Sequence, residues 1–157
     1  MEWIQKWNQW SEGSEYRQFY WMMYFLLALS SYLCQVHNDT YCNQKAEWIR
    51  IFHHLVFPGV YLGWLAPIQD IFYVLPIFIV AMITWITTDN YCFLTLWENR
   101  LCKRKKVERF HDLTYYGLYS MREGLRNIRV YYILIVVAIT CLRLYEYQTR
   151  EEFKVKK

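Results

Sequence analysis

The sequence predicts an all-α integral membrane bundle of about four spans, with amphipathic helices lying in the interface. Three observations predict it. Apolar residues gather into runs close to the roughly 17–20 residues that cross a bilayer core. Charges are segregated into blocks between those runs, so a chain that is 55% hydrophobic and 20% aromatic still has a mean hydropathy of only -0.03. Tryptophans and tyrosines crowd the ends of the runs, where an apolar ring bearing one polar atom suits the headgroup level. The 157 residues allow a single domain.

The elements follow in order. Trp3, Trp7 and Trp10 recur on one helical face, which predicts a short interfacial helix over 2–12. The rival reading packs that stripe on another part of the same chain. These residues lack the basic start and small-residue cleavage site of a signal peptide. The first span is 19–36, uncharged and about 27 Å long as a helix. A polar loop follows and holds the triplet Asn38-Asp39-Thr40, formally a glycosylation acceptor. The second span is 51–68, with His53 and His54 near its start and Pro58, Gly59 and Gly63 breaking its wall. Pro67 to Asp70 reads as a hairpin, with Asp70 capping the third span, 71–87. Pro76 lies inside that span, where neighbouring helices must serve the carbonyl it frees.

After the third span comes an elbow. Thr95 and Glu98 have the spacing of a capping box, with Thr95 as N-cap, so a helix is expected over 96–107. Its Leu96, Trp97 and Leu101 can face lipid. Lys103, Arg104, Lys105 and Lys106 face water and anionic headgroups. A further amphipathic helix is expected over 112–126, weakened by Gly117 and Gly124. The fourth span is 128–145: its apolar centre is short, and Arg129 and Arg143 extend it by snorkelling. A re-entrant segment is the alternative. The tail from Glu146 is charged and helical at its start.

Net charge is +4, from 18 basic and 14 acidic residues. The 36–50 and 88–128 loops carry more Lys and Arg than the opposite side. The positive-inside rule therefore predicts a cytosolic basic loop, both termini outside, and an unglycosylated Asn38. Cys34, Cys42, Cys92, Cys102 and Cys141 show neither a CxxC nor a zinc spacing and read as small apolar thiols.

Little of the residue pattern points to chemistry. The chain has no P-loop, nucleophile elbow, dinucleotide motif or HExxH. Haem ligation by His53 or His54 lacks a histidine on another span. Cys92, Cys102 and His111 have the wrong spacing for zinc. No metal or cofactor is expected. The expected partners are the bilayer and anionic headgroups, which suit a basic run beside a span better than nucleic acid does. Other membrane proteins or a second copy are further candidates.

The stretch Cys92-x-Leu94-Thr95-x-x-Glu98-Asn99-x-Leu101, directly after an apolar span with Trp85, resembles the signature of a family of small uncharacterised multi-span membrane proteins, a domain of unknown function. In that family a first span carries His, then Phe and Gly, as His54, Phe57 and Gly63 do here. A second span ends in Cys-Pro-Leu-Thr-x-x-Glu-Asn; Phe93 stands at the Pro position. The likeness covers about residues 48–145 and implies a multi-span fold without an assigned activity. Related proteins occur in large DNA viruses, which implies a virion or endomembrane setting. Two functions follow as expectations. One is a non-enzymatic membrane scaffold or assembly partner. The other is a small membrane-embedded enzyme, channel or transport subunit using His54, Cys92 and Glu98.

Overall fold

The computed structural model describes residues 1–38, 41–88, 92–104 and 125–155, and these are all-helical, without a strand. Six α-helices are present among them: α1 (Glu2–Ser11), α2 (Ser14–Asn38), α3 (Gln44–Leu62), α4 (Ile71–Thr87), α5 (Phe93–Leu101) and α6 (Leu125–Val155). Short 3₁₀ turns, Gly63–Leu65 and Ile68–Asp70, join α3 to α4. Neighbours pack in sequence, α2 on α3, α3 on α4, and α4 on α6. At one end, α5 lies on α3; at the other, α1 lies on α6.

α2 and α4 are both long and apolar enough to cross a membrane, over Ser14–His37 and Ile68–Thr87. At 25 residues α2 extends about 37 Å, longer than the expected span at both ends. α3 differs from expectation: it starts at Gln44, where Asn43 caps it by accepting from the Ala46 amide (2.9 Å), and it ends at Leu62 rather than continuing to Ile68. At Gly63, a Cβ would fall inside the contact distance of Phe78 and Val74 on α4. The missing side chain is what lets α4 approach the end of α3. α6 runs unbroken for 31 residues, so the fourth expected span is the middle of a longer helix.

The elbow also differs. α5 begins at Phe93, with Cys92 at the N-cap position, so Thr95 and Glu98 lie inside the helix and form no capping box. It ends at Leu101, not near Val107. Lys103 takes a left-handed conformation (φ 51°), its amide donating to Arg100 O while that of Arg104 reaches back to Asn99 O. This pair of bonds closes the helix as a Schellman turn. Asp70 does occupy the N-cap position of α4, but its carboxylate makes no cap bond. It takes a two-pronged pair from Arg17 (2.8 Å each) and the Trp21 indole (2.8 Å). Most of the helix expected over 112–126 lies outside the described residues.

On three of the helices the buried stripe includes polar residues while large apolar side chains are exposed. On α2 the buried stripe is Tyr20, Tyr24, Ala28, Ser31 and Gln35, while Phe25, Leu26, Leu29 and Leu33 are exposed. On α3, Arg50 and His54 are buried, and Phe52 and Leu55 are exposed. On α6, Val136, Thr140 and Arg143 are buried; Leu134, Ile135 and Leu142 are not. Each buried stripe keeps the three- and four-residue step of a helix face.

Candidate functional site

The buried polar residues form two clusters, one at each end of the bundle. The first joins α2, α3 and α5. Arg50 and His54 are one turn apart on the buried face of α3, Arg50 meeting α5 and His54 meeting α2. Arg50 donates to Glu98 Oε1 through Nη2 (2.8 Å) and Nε (3.3 Å), and to Glu47 through Nη1 (3.2 Å). Tyr32 on α2 donates to the other oxygen of Glu47 (2.7 Å). Arg50 and Glu98 are 2% and 1% exposed, so this ion pair is removed from solvent. His54 bridges two residues of α2. Gln35 Oε1 can only accept, so Nε2–H donates to it (2.5 Å), and in a neutral ring Nδ1 then accepts from the Ser31 hydroxyl (2.9 Å). Asn99 donates to the Thr95 carbonyl (2.7 Å).

Two loop residues close this end. Asn43 donates to Leu101 O (3.0 Å), tying the α2–α3 loop to the end of α5. Beside it Cys42 and Cys102 form a disulfide across 60 residues. The sequence reads both as thiols. Their spacing does not reveal the pairing, because only the docking of α5 on α3 brings the two loops together. Cys34, Cys92 and Cys141 are outside the bond.

The second cluster centres on Arg143 of α6. It donates to Asn8 Oδ1 (2.9 Å), Ser11 Oγ (2.9 Å), Trp64 O (2.6 Å) and Ala66 O (2.9 Å), and its guanidinium lies 4.5 Å from the Trp7 ring centroid. Asn8 in return donates to Arg143 O (2.8 Å) and Glu146 (2.6 Å). The sequence predicts snorkelling for Arg143; it points inward instead, where the short 3₁₀ turn after α3 leaves the Trp64 and Ala66 carbonyls in need of donors. Three tyrosines do similar work. Tyr24 donates to Leu55 O (2.6 Å), Tyr132 to Tyr61 O (2.5 Å) and Tyr16 to Leu65 O. Trp7 also stacks edge-on against Trp64, 5.4 Å between centroids, so the Trp stripe of α1 is shared between the protein and its surroundings: Trp3 and Trp10 stay exposed.

No family model, curated protein or solved structure matches the chain.

Of the residues singled out in the sequence, Leu94, Thr95, Glu98 and Asn99 form the buried face of α5 against α3. His54 lies in the same cluster, and His53 beside it is half-buried, the two rings 5.7 Å apart. Cys92 is half-buried at the start of α5, about 9 Å of helix rise before Glu98. Lys103 is exposed. Arg104 is not directed to lipid as expected; it is largely buried and lies 3.8 Å from Glu98. Lys105 and Lys106 fall outside the described residues. Among the described residues no group of three His, Cys, Asp or Glu could hold a metal ion. Sequence reasoning passes over Ser31, Gln35, Arg50, Asn8 and Ser11. A signal exists: Ser31 and Gln35, like Arg50 and His54, are polar pairs four residues apart in or beside apolar runs.

Proposed function

We propose that the chain is a multi-pass membrane protein, spanning through α2, α3, α4 and α6, that acts as a non-enzymatic scaffold or assembly partner. The exposure of large apolar side chains supports the membrane reading. In the two most apolar helices only 28% of the span is buried, whereas the core helix of a soluble protein would be mostly covered. The resemblance of the Cys92–Leu101 stretch to a multi-span family agrees with it.

The observation that carries the scaffold reading is how the buried polar groups are used. Tyr32, Glu47, Arg50, Glu98, Ser31, Gln35 and His54 are bonded to one another and hold three helices together. A catalytic base or a proton carrier needs an atom aimed at a substrate or a water path. These side chains are aimed at each other. The exposed faces of α2, α3, α4 and α6 carry large apolar side chains, such as Phe25, Leu29, Phe52, Ile83 and Ile135, that can meet lipid or a partner helix. The N-terminal Trp3 and Trp10 suit the headgroup level.

The test replaces both charges at once. A buried ion pair exchanged for apolar residues of similar volume is often neutral or stabilising. Arg50→Met/Glu98→Met should therefore stay in the alkaline-carbonate membrane pellet and restore the phenotype of a deletion in the cells that carry the chain. A double variant that is inserted and folded yet inactive in that assay would assign chemistry to the pair and favour the enzyme or channel reading.

A further inference from the structure

We propose that the Cys42–Cys102 disulfide is native and sets the membrane orientation, with the α5 end of the bundle on the oxidising, exoplasmic side and both termini in the cytosol. The proposal rests on the four-span reading above. It reverses the orientation that the Lys and Arg distribution predicts.

Three features bring the two sulfurs together. Asn43, the residue after Cys42, is held twice, through its cap on α3 and its bond to Leu101 O. The left-handed turn at Lys103 folds the chain back directly after Cys102. The Arg50–Glu98 pair locks α5 against α3. The two sulfurs thus meet at the junction of elements that are tied together by other bonds, and the Cα atoms stand 5.6 Å apart, within the ordinary range for a disulfide. Such a bond persists in the endoplasmic reticulum lumen, at the cell surface or in a periplasm, and is rare where glutathione and thioredoxin keep thiols reduced.

The charge count weighs less. Positive-inside is a bias of free Lys and Arg near span ends. Two of the arginines counted there, Arg50 and Arg104, are turned into the protein toward Glu98. The disulfide, by contrast, is a chemical requirement on the compartment. Cys34 and Cys141 sit within α2 and α6 and do not compete for the loops.

The experiment uses the full chain with a C-terminal epitope tag, in sealed microsomes whose lumen is inside. Alkaline carbonate extraction comes first: release into the supernatant would overturn the membrane reading itself, independently of the bond and the orientation. Thiols are then counted by maleimide–polyethylene glycol in denaturing detergent. Three adducts before reduction and five after are expected. Cys42→Ser/Cys102→Ser should give three in both conditions, and Cys42→Ser alone four in both. Five adducts on the unreduced protein, or a reducible pair persisting in the double variant, would overturn the bond. Finally, protease added to the sealed vesicles should remove the tag. A tag protected until detergent is added would overturn the orientation while leaving the bond intact.

Discussion

Glu98 is the residue whose role changes most between sequence and structure. Its spacing from Thr95 suits a cap, yet its carboxylate meets Arg50 inside the protein. Removing one member of a buried pair costs up to about 3–5 kcal/mol, because it leaves Arg50 to Glu47, or Glu98 to the more distant Arg104. Glu98→Met and Arg50→Met should each lose that much in reversible unfolding from mixed micelles, and the double variant much less than the sum. A double-mutant cycle that closes additively would show the two do not interact. Thr95→Ala should cost less than either single change, the reverse of what a capping role requires. Arg143 supplies the second residue-scale case. Four acceptors surround its guanidinium. A lysine at this position would have three donors on a single nitrogen and cannot reproduce that fork. Arg143→Lys should therefore leave acceptors unserved at roughly 1–3 kcal/mol each. Hydrogen exchange reads it: amides of α1 should exchange faster, with α3 and α4 little changed.

At the scale of elements, periodicity places the helices and local chemistry places their ends. α5 illustrates both. Leu94, Thr95, Glu98 and Asn99 make one buried face, so its register follows from α3 rather than from its own cap. Its end depends on Lys103 in a left-handed conformation, which an L-residue with a Cβ adopts at a cost of roughly 1–2 kcal/mol. Lys103→Gly removes the Cβ clash and adds chain entropy to the unfolded state. The net expectation is a gain of up to about 1 kcal/mol, read as a higher Tm in detergent. A lower Tm would show that the lysine side chain itself stabilises the turn. The amphipathic pattern of α2, α3 and α6 is a second element-scale result. Polar residues in their buried stripes, among them Ser31, Gln35, Arg50, His54 and Arg143, find partners within the bundle, and the lipid surround proposed above would reward the apolar side chains left outside.

For the molecule as a whole, two polar clamps hold the ends of the bundle and the disulfide closes one of them. Cross-linking residues 60 apart in sequence restricts the unfolded chain, typically worth about 2–4 kcal/mol. Cys42→Ser/Cys102→Ser should lose about that much relative to the oxidised wild type. Reductant should reproduce the loss in the wild type and leave the variant unchanged; a wild type indifferent to reductant would mean the bond carries no stability.

The sequence by itself determined that the chain is helical and where four of its long helices run. Those properties are local: a run of apolar residues has the same length and period wherever it packs. It also singled out Thr95 and Glu98 by their capping-box spacing, and His54 and Asn99 with them by the resemblance of their stretches to a family signature. It did not determine their partners. Arg50 lies 48 residues from Glu98, and Asn8 lies 135 from Arg143. Nothing in their spacing relates them. Tertiary structure decided that Glu98 pairs rather than caps, that Arg143 turns inward, and that α3 stops at Leu62 where α4 crosses Gly63. It also decided that Cys42 and Cys102 meet. Each is a contact between segments distant in the chain, and such contacts exist only once the helices have packed.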